Sequence, residues 1–278
     1  VHHDGVRLEL KQLQAAMETT TPASSRPLLV IEDGIATITL NRPAQRNRLE
    51  DGDLHQLLRY VETLNADDTD LVVVFTANTQ VQCRPVFSAG YHLGGFEEEG
   101  SDPDLFEQIP DAIAQMRPIT VCALNGSVYG GATDLLLACD IGVALEGTEL
   151  RMPAAALGLH YYRSGLQRYV ARLGQSMTLR AFLTAQALPV ATLQQIGFLT
   201  AVLPAESWTT ALAALVAQIR DLAPLAAQLT KRSIREIAAG TDEAAVIRQR
   251  QDLTASSQDF REGRQAFAQK RKPHFTGR

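Results

Sequence analysis

The sequence predicts an α/β fold, and three patterns carry that expectation. LVVVFTA (71–77) and ITVCALNG (119–126) are short, unbroken apolar runs rich in β-branched residues, as expected of strands buried on both faces. Segments with helical apolar spacing alternate with them, as crossover connections between parallel strands require. Beyond residue 150 the pattern becomes mostly helical, which predicts a second layer or a subdomain against the strands. Hydrophobic residues make up 45% of the 278 and charged residues 21%, which supplies a large core and excludes a disordered chain.

Taken in order, residues 6–18 (VRLELKQLQAAME) place Leu8, Leu10, Leu13 and Met17 near one face of a short helix. The polar, proline-containing TTTPASSRP (19–27) reads as a linker, so 1–27 is set apart as an appendage. In LLVIEDGIATITL, which opens the main body at 28, apolar runs flank Asp33-Gly34 and predict a hairpin. Asn41-Arg42-Pro43 ends its second strand, and 51–65 follows as a helix with Leu54, Leu57, Leu58, Val61 and Leu64 on its apolar face. After the 71–77 strand a loop runs to Phe87, 104–116 is helical, and Pro118 closes that segment. The 119–126 strand leads to a helix over 130–140, and IGVALEG (141–147) is a further strand. Helices are expected over 164–173, 176–186, 191–197, 206–221, 224–239 and 242–270. No repeat of 20–50 residues is visible in the sequence.

Composition excludes several classes. A net charge of −5 supplies no sequence-wide positive field for nucleic acid or anionic lipid, so any anionic ligand must be held by local donors. Cys83, Cys122 and Cys139 are odd in number and lack metal-ligand spacing, against a disulfide framework or a zinc site. No apolar run reaches the roughly 18 residues of a membrane span, and Val1–Asp4 carries no signal pattern. A soluble protein of the cytoplasm is the expectation.

Two segments carry chemistry. In ALNGSVYGGATDLLLACD (123–140) a buried strand runs through Asn125-Gly126 to Gly130-Gly131 and then a helix. Glycines there permit a tight turn and leave backbone amides uncovered, and the helix start adds partial positive charge. Such a site stabilises a developing oxyanion; the same glycines also suit a turn needed only for packing. PVFSAGYHLGGF (85–96) offers a second small-residue turn at Ser88-Ala89-Gly90. Two such turns could supply two donors to one oxygen, each worth about 3–4 kcal/mol of transition-state stabilisation.

With ITLNRPAQRNRL (38–49), VFSAGYHL (86–93), NGSVYGGATDLLLACD (125–140) and SSQDFREGRQAFAQKRKPHFTG (256–277) in that order, the chain resembles the crotonase (enoyl-CoA hydratase/isomerase) superfamily over about 28–278. The resemblance implies a ββα-spiral core (28–205), a helical C-terminal trimerisation region (206–278) and an acyl-CoA thioester substrate. Coenzyme A enters as part of the substrate, with no separate cofactor, and the assembly implied is a homotrimer or a dimer of trimers. The backbone amides of Tyr91 and Gly131 would hold the thioester oxygen. Ala89 lies where the family's main chain meets the adenine, and Phe267 and Lys270 match positions that approach the CoA nucleotide, often from a neighbouring subunit. Arg46 is a candidate phosphate partner or a solvated loop arginine.

The chain departs from the usual hydratase, which sets two glutamates around a water. The first position is Asp134, as in dienoyl-CoA isomerases, and the second, after the proline of RMPAAALGL, is Ala154. Candidates to replace the missing group are His160, Tyr161 and Tyr162 in LGLHYYRSG (157–165), with His92 beside the first turn. Tyr162 resembles the position of the catalytic aspartate of aryl-CoA dehalogenases and dienoyl isomerases, and Tyr161 that of the tyrosine of methylmalonyl-CoA decarboxylases. Each of these four also has an ordinary reading, as a solvated loop histidine or pocket packing, and Asp134 also suits the first turn of a helix. Tyr129, beside the glycine pair, would narrow the acyl pocket. Three functions follow: isomerisation or altered hydration with Asp134 as base; decarboxylation or C–C hydrolysis, which needs no glutamate pair; or an acyl-CoA-binding trimer without activity.

Overall fold

The structure, a computed structural model, describes residues 25–66, 72–92, 102 and 104–278. The helix expected over 6–18 lies outside them. β1 (Leu28–Glu32) and β2 (Ile35–Leu40) form the expected hairpin, with Asp33 (φ 48) and Gly34 (φ 77) both left-handed, as a two-residue turn between right-twisted strands requires. Ala36, Ile38 and Leu40 of β2 alternate inward, and α1 (Asp51–Ala66) covers them with Leu54, Leu57, Val61 and Leu64. Just upstream of the hairpin, the Pro27 carbonyl accepts a hydrogen bond from the buried Tyr60 hydroxyl (3.1 Å).

Two sheets organise the rest. β3 (Val72–Ala77), β5 (Ile119–Leu124), β7 (Ile141–Leu145) and β10 (Ala201–Leu203) extend the hairpin in the order β1-β2-β3-β5-β7-β10, all parallel beyond β2. β4 (Val86–Ser88), β6 (Ser127–Tyr129), β8 (Glu149–Arg151) and β9 (Leu188–Pro189) form a second sheet in that order, parallel except for β9. The chain therefore winds. Each turn lays one strand in the large sheet, one in the small sheet, and then a helix: β3-β4-α2 (Leu105–Gln115), β5-β6-α3 (Thr133–Ala138) and β7-β8-α4 (Arg163–Thr184). This is the expected crotonase ββα spiral, a repeat of structure that leaves no repeat in the sequence.

The unbroken apolar runs are explained by cover on both faces. Val73, Phe75, Cys122 and Leu124 face the main core, and Val72, Val74, Val121 and Ala123 meet Val216 and Ile219 of α6 (Trp208–Arg220). α5 (Val190–Gln195) leads to β10, and α7 (Pro224–Ala239) has the expected bounds. The helices expected over 164–173 and 176–186 both form within α4 and part at Gly174, whose φ 75 and ψ 160 are not helical. Two expectations need correction. The helix over 130–140 is a single 3-10 turn at 130–132 followed by the short α3. The helix over 242–270 divides at extended Ser257, whose hydroxyl accepts from the Phe260 amide (3.0 Å) and caps α9 (Gln258–Gln269) after α8 (Ala244–Ser256). β4, β6, β8, β9 and β10, of two or three residues each, were not expected as strands of their own.

Candidate active site

The two glycine turns meet. After β4, Ser88 Oγ donates to the Asn47 carbonyl (2.7 Å) and accepts from the Gly90 amide (3.1 Å), which folds the turn tightly. The Leu49 amide bonds the Gly90 carbonyl and the His92 amide bonds the Leu49 carbonyl, both at 2.9 Å. This parallel bridge to Tyr91 directs Tyr91's own N–H to the opposite side. Gly90 has φ +98, and a Cβ there would stand 2.8 Å from the Tyr129 carbonyl oxygen; Gly130, φ +56, packs against it. A Cβ on Gly131 would stand 2.8 Å from the Phe106 ring. Gly131 is the second residue of its helical turn, so no carbonyl of that turn lies behind its N–H.

Both turns border one cavity of about 390 Å³. Its wall is apolar at Phe106, Met152, Ala154, Leu157 and Leu159 and polar at Tyr129, Tyr161, Tyr162, His160, Asp104 and Glu107. Two peptide N–H groups at the edge of an apolar cavity are suited to hold an oxygen on which negative charge develops.

Asp134, expected as the base, is absent from the cavity wall. It is fully buried in α3, and its carboxylate accepts from the Tyr162 hydroxyl, from Arg168 Nε (2.9 Å) and from Arg168 Nη2 (2.6 Å). Arg168 Nη1 bonds Asp111 of α2 at 2.5 Å, and the Tyr161 hydroxyl donates to that of Tyr162 (3.2 Å). Gly165 makes room for this knot: a Cβ there would lie 3.0 Å from Asp134 Oδ2. Burial, then the Asp134 charge, pushes both the Tyr161 and the Tyr162 phenols above their ordinary value, so both are neutral at pH 7. Burial pulls the Arg168 guanidinium down, but its Asp134 hydrogen bonds and the Asp134 charge outweigh that and hold it charged. The cavity thus meets Tyr162, with the carboxylate sealed behind it.

The other expected residues are scattered. Ala154 lies in the wall at 5% exposure, with no acid to offer. His160 is exposed and lines the cavity; His92 is exposed and absent from its wall. His92 lies instead among the charges near Glu50, whose carboxyl is held low first by the Arg48 hydrogen bond. The Tyr91 hydroxyl bonds Asp51 (2.5 Å), and the Tyr129 hydroxyl bonds Glu149 (3.2 Å). Ala89 is in the wall, and its amide bonds the carbonyl of exposed Arg46 (2.8 Å). Phe267, 88% exposed, borders a separate groove of about 550 Å³ with Phe260 and Phe275, and Lys270 closes α9. Neither joins the first cavity within one chain.

Arg168, Asp111, Phe106 and Glu107 were missed in the sequence. Arg168 lies 34 residues from Asp134, and only the packing of α4 on α3 joins them. The i, i+4 spacing of Glu107 and Asp111 placed both on one face of α2, but nothing local said which face met the cavity.

Comparison with known proteins follows the same outline. The family model described as enoyl-CoA hydratase/isomerase matches residues 30–278. The 2,3-dehydroadipyl-CoA hydratase of Escherichia coli (strain K12) is 30% identical over 249 residues, 88% of this chain and 96% of that protein. The methylmalonyl-CoA decarboxylase of the same organism is 25% identical over 251 residues, 87% of this chain and 95% of that protein. A crystal structure of enoyl-CoA hydratase from Mycobacterium tuberculosis H37Rv superposes with a TM-score of 0.77 at 26% identity, over 92% of this chain and 100% of that one.

Proposed function

The chain belongs to the enoyl-CoA hydratase/isomerase family, and from that premise we propose that it shifts a proton along the acyl chain of an acyl-CoA thioester through an enolate, in the manner of an isomerase. The contact of the Gly90 and Gly130 backbones supports this most directly, because it brings the Tyr91 and Gly131 turns to one apolar cavity. The two amides would receive the thioester oxygen as it becomes an enolate oxygen. Hydration by a carboxylate pair has less support, since Ala154 has no acid and Asp134 is bound by Arg168 and Tyr162. The nucleotide end of CoA would lie along Ala89 and Arg46. Phe267 and Lys270 would cover it from a neighbouring copy in a homotrimer or a dimer of trimers.

Incubation with a 3-enoyl-CoA in D₂O tests the reading. The expected result is conversion to the 2-enoyl-CoA with deuterium at the acyl chain, followed by mass spectrometry. Tight binding of acyl-CoA thioesters with no exchange from any of them would overturn it and leave an acyl-CoA-binding protein without turnover.

Decarboxylation is the second reading. Loss of CO₂ generates the enolate without a base, so the same absence of an accessible glutamate pair favours it. Against it, Asp104 and Glu107 in the wall would repel a second substrate carboxylate. CO₂ release from malonyl-CoA or methylmalonyl-CoA, without isomerisation of a 3-enoyl-CoA, would decide for it.

A further inference from the structure

With Asp134 held by Arg168 and Tyr162 and no acid at Ala154, the proton must travel on another group. Among the described residues, the carboxylates in the cavity wall are Asp104 and Glu107. Asp104 is exposed, whereas Glu107 is half-buried. Glu107 directly follows Phe106, whose ring fills the space that Gly131 leaves without a Cβ and lies 5.5 Å from the Tyr91 ring and 6.2 Å from the Tyr162 ring. Phe106 thus pins α2 over both turns, and the next side chain reaches the same cavity. Arg168, whose charge acts on Glu107, does not neutralise it by contact: its hydrogen bonds go to Asp134 and Asp111. No described residue gives the Glu107 carboxylate a hydrogen bond.

We propose that Glu107 is the catalytic residue that moves the proton. This rests on the enolate reading above. In the forward step a Glu107 oxygen forms an O–H bond with a proton from C2 of a 3-enoyl thioester, the C2–H bond breaks, and its electron pair moves to the thioester oxygen between the Tyr91 and Gly131 amides. In the return step the enolate collapses, C4 takes the proton from the Glu107 carboxyl, and the double bond stands between C2 and C3. Every atom is conserved, and no oxidant, reductant or water is consumed.

The surroundings suit such a group. Burial, then the charges of Asp104, Asp111 and Asp102, push the Glu107 carboxyl above its ordinary value, while Arg168 of α4 opposes the shift, and His160 is the other titratable side chain on the wall with Tyr161, Tyr162 and Tyr129. A carboxylate raised toward neutrality is a stronger base and still returns its proton readily.

The test uses 3-hexenoyl-CoA and the variants Glu107→Gln and Glu107→Asp. Glu107→Gln is expected to slow isomerisation and C2 deuterium exchange by about 10²–10⁴-fold, with the dissociation constant of the thioester changed by less than about threefold. Glu107→Asp should restore part of the rate. In the wild type, kcat/KM should fall as pH drops through a limb above the ordinary glutamate value of about 4.3, and that limb should vanish in Glu107→Gln. Exchange in Glu107→Gln at the wild-type rate overturns the assignment and leaves the enolate reading standing. Loss of binding together with activity in both variants makes Glu107 structural and also overturns it. Absence of exchange in the wild type overturns the enolate reading itself.

Discussion

Arg168 determines what Asp134 can do. The Asp134 carboxylate has no exposure, and in place of water a guanidinium grips both oxygens and a phenol donates to it. Arg168→Met is therefore expected to cost about 3–5 kcal/mol of stability, measured by urea unfolding. Arg168→Met combined with Asp134→Leu should recover most of it, because no buried charge is then left alone. The glycine turns were legible in the sequence, since their function lies in the backbone and only glycine permits the approach at Gly90 and Gly131. The state of Asp134 was not legible. A motif names the residue at a position, but the partner that occupies its oxygens arrives from another turn of the spiral.

Among the elements, a buried clip fixes the C-terminal helices to the large sheet. Asp140, between α3 and β7, accepts from Lys231 (2.7 Å) and Arg235 (2.8 Å) of α7 and from the Thr120 amide (2.7 Å) and hydroxyl (2.8 Å) of β5. Burial raises the Asp140 carboxyl, but Lys231 and Arg235 outweigh it and hold the group below its ordinary value. Its contribution to stability is thus present above the unfolded value of about 3.9 and is lost as pH falls through that value toward the folded one. Asp140→Asn should be less stable at neutral pH, and the gap to wild type should narrow on acidification below about 4 in urea unfolding. The hairpin, β3, β5 and α7 were readable because length and periodicity marked them. The short strands were not, because two or three residues cannot display an alternation, and parallel pairing across the spiral is invisible locally.

The whole molecule is acidic, with net charge −5, yet its last stretch is not. Arg261, Arg264, Lys270, Arg271, Lys272 and Arg278 stand against Asp259 and Glu262 within 257–278. Asp259 is buried and accepts from the Thr276 (2.7 Å) and Gly277 (2.9 Å) amides, and Arg271 pairs with Glu262, so the final residues fold back along α9. That gathers positive charge beside the exposed Phe267, where a neighbouring copy's CoA phosphates would lie in the proposed trimer. If so, refolded mixtures of Glu107→Gln chains and Phe267→Asp chains should turn over 3-enoyl-CoA faster than the average of the two alone, since some sites regain both intact halves. Strict additivity across mixing ratios would show that each chain works alone.

The interlocked Gly90 and Gly130 turns have a consequence for how such a protein changes over generations. Point mutation rewrites side chains, whereas the two groups proposed to receive the oxygen are peptide N–H groups, which every residue but proline carries. Acids and bases around the cavity are then exchangeable parts. One can be retired behind a guanidinium, another trimmed to a methyl, and a third recruited from an unrelated helix, while the oxygen keeps its seat. Invention on this scaffold is a matter of repositioning the proton.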